Sequence, residues 1–221
     1  MLLAEKMFVL TIDEETGKMN YPFLFSYVIT GALLIELLFL KKISLEKQRF
    51  KVLVHPQDST ATGNKALDYI LEKICNSDSK SLGKWIRKYS NFPDLKIMEL
   101  LVESMKEEGI IRDVIEKTQM RIFKKTEYPL TKPGIKNEIL EEIRQGIITE
   151  TQPTQNALAL ISLMYATWTW RNLIEKKDRK AAKKKMKKLF AKREKSLLME
   201  YSESIYYVAK EIRNQVSSAA A

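Results

Sequence analysis

Residues able to do chemistry are few in this chain. One histidine, His55, and one cysteine, Cys75, stand alone, so neither an HExxH pair nor a Cys/His set at zinc-ligand spacing can be assembled. His55 precedes Pro56, a setting for a strand end or turn, and no motif supplies a triad partner. The carboxylate pairs Asp13-Glu14 and Glu141-Glu142 are sequence neighbours, and adjacent residues on a helix do not face each other. The seven glycines are isolated, with no GxxxxGK[ST] loop, GxGxxG fingerprint or GxSxG elbow. The reading is a protein without catalytic residues, metal or cofactor. A lone cysteine also fits a reducing, cytoplasmic compartment.

The charge is more informative. The 221 residues carry 38 Lys+Arg and 28 Asp+Glu, a formal +10. The segment Lys176 to Lys195 alone holds twelve basic and two acidic residues, so the remainder is balanced at 26 of each. Ala182, Met186, Leu189 and Phe190 recur within it at helical spacing, which predicts an amphipathic helix with Lys183, Lys184, Lys185, Lys187 and Lys188 turned outward. Such a face either serves solubility or attracts a polyanion.

With 45% apolar residues and few Gly or Pro, the chain can build a core around these positions. Leu2 to Ile12 reads as a short strand entering a turn at Asp13 to Gly17. Tyr21 to Leu40 is apolar apart from Glu36; it has the length of a membrane span flanked by Lys41-Lys42, and equally the capped start, Asn20-Tyr21-Pro22, of a core helix. No basic leader or small-residue cleavage site marks a secretory signal. Ile43 to Glu46 and Phe50 to Val54 predict a hairpin around Lys47-Gln48-Arg49. Helical spacing follows over Lys65 to Cys75, Leu82 to Tyr89 and Leu95 to Met105, the last stopped by Gly109. Ile110 to Phe123 reads as a second hairpin turning at Glu116 to Gln119. Tyr128 to Thr131 is expected to cap a helix over Pro133 to Gly146, followed by helices over Thr154 to Ile174, Lys177 to Arg193 and Ser196 to Gln215. Trp168 and Trp170 read as core or core-edge residues. The fold class expected is mainly α: one multi-helical globular domain over 1–216 with two or three small β-hairpins, and a disordered tail over 217–221.

The order of these pieces resembles the Golgi phosphoprotein family over almost the whole chain. The resemblance is carried by Leu2-Leu3-Ala4-Glu5, Leu10-Thr11-Ile12-Asp13 and Gly17, then by Gly31 to Leu37 with Lys41-Lys42-Ile43, and by Trp85-Ile86. It continues through Glu107-Glu108-Gly109-Ile110, Tyr128-Pro129-Leu130-Thr131 and Leu158 to Leu163. It implies that Tyr21 to Leu40 is a core helix. It also implies a peripheral protein on cytosolic membrane faces that binds phosphatidylinositol 4-phosphate. The family's hairpin for membrane contact or self-association would be 110–123, with Lys117, Arg121, Lys124 and Lys125 as its basic complement. The family's headgroup pocket, one aromatic and three arginines, carries over to Tyr21, Thr30, Leu95 and Met98, so all three cations are replaced. Lys96 is the adjacent base. Arginine is the side chain suited to bidentate phosphate binding, so headgroup selectivity is expected to be lost. The long N-terminal segment of the eukaryotic members is lacking here, which points to a prokaryotic relative.

The expected function is non-enzymatic association with anionic membrane lipids, set by general charge. Basic residues near an anionic bilayer contribute about 1 kcal/mol each at best, so a third of the twelve would give several kcal/mol. The alternative is a nucleic-acid-binding protein using 176–195, with steep salt dependence and little base readout, because lysine outnumbers arginine and Phe190 is the lone aromatic there.

Overall fold

The apolar segment after Asn20 forms the central helix of the molecule. The computed structural model describes residues 1–20, 22–78, 80–90, 95–119, 123–148, 153–191 and 201–219, with backbone alone for 22–23, 95, 116–119, 123–125, 148, 189–191 and 219. Helix α2 (Pro22–Phe39) packs against α1 (Leu3–Thr11), α3 (Lys65–Cys75), α4 (Leu82–Ser90), α7 (Gln155–Ala166) and α10 (Ser202–Ala219). Apolar side chains therefore lie on all its sides, with Val28, Ile29, Leu33, Leu34, Ile35 and Leu37 buried. Burial of this kind stabilises by about 1.5–3 kcal/mol per large side chain. The approach is closest at Gly31, where a Cβ would lie 2.3 Å from Ile212 Cδ1 and 3.0 Å from Leu163 Cδ2. Among the described residues, no helix is long and apolar enough to cross a membrane.

Glu36, the one charge in α2, has a structural task. Its carboxylate accepts a hydrogen bond from the Leu3 backbone N–H at 3.1 Å, while Glu5 accepts from Leu2 N–H at 2.7 Å and from the Ser104 hydroxyl at 3.1 Å. Two carboxylates thus serve the orphan donors at the start of α1, where the helix dipole also favours negative charge. Burial pushes both carboxyl groups above the usual range, against these N–H donors.

This network corrects the expected N-terminal strand: Leu2 to Ile12 is almost entirely helix α1. A short apolar run buried on every side shows no period, and the Glu5 cap decides for helix. The expected turn does form after it. Gly17 has φ of 67°, and a Cβ there would stand 3.1 Å from the backbone nitrogens of Tyr128 and Pro129.

Strands β1 (Ile43–Lys47) and β2 (Val52–Pro56) form the expected hairpin, with Leu45 opposite Val54. The short strand β3 (Lys80–Ser81) adds to β2. Helix α3 starts where the Asn64 side chain accepts from Ala66 and Leu67 N–H, and α5 (Leu95–Glu107) follows α4. The second hairpin is β4 (Ile115–Gln119) and β5 (Phe123–Glu127). It lies about four residues later than expected, because Glu116 to Gln119 extend as strand instead of turning. Nor does Thr131 cap a helix. Its hydroxyl bonds the carbonyls of Gly109 and Ile110, and α6 (Ile135–Ile148) begins after Gly134, at φ of 86°.

The helix expected over Thr154 to Ile174 is broken. Helix α7 is capped by Thr154, then Trp168 takes φ of 57° and α8 (Trp170–Leu173) restarts, with Trp170 buried and Trp168 half-buried. The reversal lets Trp170 reach the core, and the Thr167 hydroxyl bonds back to the Leu163 carbonyl at 2.9 Å. Helix α9 (Arg179–Ala191) carries the lysine run. Helix α10 continues to Ala219, so residues 217–219, expected in the tail, are helical. Ile212 and Val216, buried one turn apart, anchor that last stretch.

Candidate anion-binding surface

The helix α9 stripe lies as its spacing predicts. Ala182 and Met186 are 1% exposed against the body of the protein, where α9 packs on α6 and α7. Lys183, Lys184, Lys187 and Lys188 are exposed and Lys185 is half-buried. The first turn holds no acidic residue, although a helix N-terminus favours one. Lys180 and Lys184, Lys183 and Lys187, and Lys184 and Lys188 stand four apart, each an exposed like-charge pair that costs a helix about 0.2–0.5 kcal/mol. Just before the helix, Glu175 meets Arg144 at 2.7 Å and Lys177 at 3.0 Å. An anionic surface against α9 would relieve that repulsion.

A second basic element is β4–β5. Its register sets Lys117 opposite Lys125 and Lys124 opposite Thr118. Its base is fixed to the α1 turn by a bridge from Lys18 to Glu127 and by Tyr128 N–H donating to the Gly17 carbonyl at 2.6 Å. A further tie runs from Arg112 N–H to the Pro129 carbonyl at 2.8 Å. The Phe8 ring meets Tyr128 and Phe25 edge-on at 5.0 and 5.2 Å. Arg121 lies outside the described residues. These bonds tie the base of the hairpin to the turn after α1.

Of the four positions that the family resemblance assigns to the headgroup, only part falls among the described residues. Tyr21 and the Leu95 side chain lie outside them. Met98 is half-buried on α5 and packs against the core. Thr30 is 2% exposed, and its hydroxyl lies 3.4 Å from that of Ser90, whose carbonyl accepts from Ser26 at 2.8 Å. Sequence reading missed this α2–α4 latch; its signal is the pair Ser26 and Thr30, one turn apart on α2. Lys96 is exposed and pairs with Glu99 at 3.5 Å. His55 sits on β2 with its Nε2 2.9 Å from Glu46, and no group of His, Cys, Asp and Glu among the described residues is arranged to hold a metal.

Comparison with known proteins shows the family. The model of the Golgi phosphoprotein 3 (GPP34) family matches residues 3–214. A VPS74-like protein of Dictyostelium discoideum is 27% identical over 133 residues, which is 52% of this chain and 49% of that relative. The match therefore spans about half the length of the curated relative. With the family model covering nearly every element from α1 to α10, the chain belongs to the Golgi phosphoprotein 3 family.

Proposed function

We propose that this protein is a non-catalytic, peripheral membrane-associating member of its family, which contacts anionic lipid on a cytosolic face by general charge. The observation that carries the reading is α9, whose exposed lysines repeat at four-residue spacing without acidic partners in the first turn. Several such side chains near an anionic bilayer suffice for reversible binding. Hairpin β4–β5, with Lys117, Lys124 and Lys125, is the second contact and a surface for self-association. The replaced headgroup cations, with Thr30 buried, support a preference for charge density over phosphatidylinositol 4-phosphate as such.

Flotation of the protein with neutral, phosphatidylserine-containing and phosphatidylinositol 4-phosphate-containing vesicles tests the proposal, the two anionic sets being matched in surface charge. Equal flotation with both anionic sets, lost in salt, is the expected outcome. Selective flotation with the phosphoinositide would overturn the charge-reading part, and retention of nucleic acid without flotation would replace the proposal by its alternative.

A further inference from the structure

The turn between β1 and β2 carries an apolar side chain that nothing in the fold uses. Gln48 N–H donates to the Lys51 carbonyl at 2.8 Å, closing a tight Gln48-Arg49-Phe50-Lys51 tip. Phe50 is 88% exposed, against 47% or less for every other exposed large hydrophobic among the described residues. The Arg49 guanidinium sits over its ring, 5.0 Å from the centroid. No acidic side chain among the described residues pairs with Arg49 or Lys51.

The strand behind the tip continues this chemistry onto α10. Lys47 Nζ lies over the Tyr207 ring at 5.7 Å, the Tyr206 and Tyr207 rings are 5.7 Å apart, and Lys210 Nζ is 5.7 Å from the Tyr206 centroid. Two carboxylates lie nearby: Glu46 faces His55, and Glu203 accepts from the Tyr207 hydroxyl. One apolar ring at a stiff apex, cations around it and half-buried tyrosines behind it match the strata of a bilayer surface, where acyl chains, phosphates and the interfacial zone follow in that order.

We infer that the β1–β2 tip is a membrane anchor, with Phe50 entering the acyl boundary of an anionic leaflet while Arg49 and Lys51 meet its phosphates. The inference rests on the anionic-lipid reading above and adds a contact that reading does not contain. A second copy of the chain is the poorer occupant, since a symmetric contact through Phe50 would bring Arg49 and Lys51 against their own like charges.

The test uses the full chain and phosphatidylcholine vesicles with and without phosphatidylglycerol. Phe50→Ser should weaken partition into the anionic vesicles about tenfold, with an unchanged circular dichroism spectrum because the ring contributes nothing to the core. The pair Arg49→Gln and Lys51→Gln should weaken it about fivefold per charge at low salt. An environment-sensitive fluorophore attached at position 50, in a chain carrying Phe50→Cys and Cys75→Ser, should shift to the blue with anionic vesicles and be quenched by nitroxide lipids. Wild-type binding unaffected by Phe50→Ser, with a fluorophore that stays in water, would overturn the anchor and leave the charge-reading function standing. Failure of the wild type to float at all would overturn both. A concentration-dependent dimer abolished by Phe50→Ser, with flotation unchanged, would overturn the lipid assignment in favour of a contact between copies.

Discussion

Thr30 and Ser90 place their hydroxyl oxygens 3.4 Å apart inside the α2–α4 contact. Position 30, to which the family resemblance carries a headgroup arginine, is part of a helix–helix latch in this chain. The latch is buried and hydrogen-bonded, as buried polar groups must be.

A cation placed at position 30 should not build a pocket. Thr30→Arg would bury an unpaired charge at a site 2% exposed, so the expected outcome is destabilisation on the order of 3 kcal/mol or more. No gain in phosphoinositide flotation should accompany it. Chemical denaturation beside flotation checks this; a stable variant with selective phosphoinositide binding would contradict it. Thr30→Val, which removes only a hydroxyl and leaves the Ser26–Ser90 bond, should cost about 1 kcal/mol.

Gly17→Ala should destabilise by about 1–3 kcal/mol. It combines a positive φ with a Cβ pressed against the Tyr128 and Pro129 nitrogens. Because this contact holds the base of β4–β5, amide exchange should accelerate in that hairpin before it does in α2. Uniform acceleration throughout the chain would argue against a local clamp.

Much of this arrangement is legible in sequence, and its failures share a cause. The α9 stripe, the β1–β2 hairpin, the Gly17 turn and the α3 helix follow from local periodicity and turn chemistry, which involve residues close in sequence. The α1 helix, the break at Trp168 and the shift of β4–β5 depend on distant partners: Glu36 on Leu3, the core on Trp170, Gly17 on Tyr128. At the candidate surface the lysines of α9 are readable because helical spacing separates them from Ala182 and Met186. The Thr30–Ser90 latch and the exposure of Phe50 are not, since both depend on which elements pack nearby.

Stability should fall as pH rises above the ordinary glutamate range. The Glu36 carboxyl is raised from 4.5, chiefly by burial, with Glu5 nearby adding to the effect and the Leu3 N–H opposing it. Between 4.5 and that raised value the folded state binds more protons than the unfolded chain, so the stabilisation present below 4.5 is lost as pH climbs through the folded value. Glu5 titrates in the same direction. Glu36→Gln, whose carbonyl can still accept from Leu3, should flatten this slope; an unchanged slope in denaturation midpoints would place its origin elsewhere.

Asp58 should behave oppositely. Hydrogen bonds from the Lys42 ammonium, at 2.6 Å, and from Thr60 lower its carboxyl from 3.8 to about 2. Its contribution is present above 3.8 and is lost as pH falls through about 2. In Lys42→Met, nuclear magnetic resonance titration should find Asp58 moved back toward 3.8, and no movement would mean that Thr60 alone sets the shift.

Retention by charge on an anionic surface, rather than by one inositol phosphate, is the function proposed for this protein. It is tested most directly by flotation against phosphatidylserine and phosphatidylinositol 4-phosphate vesicles of equal surface charge, with the wild type compared with Lys183, Lys184, Lys187 and Lys188 all changed to Gln. Equal wild-type flotation with the two lipids, abolished by salt and sharply reduced in the quadruple variant, is the expected outcome. Salt-resistant flotation confined to phosphatidylinositol 4-phosphate, undiminished in that variant, would contradict it.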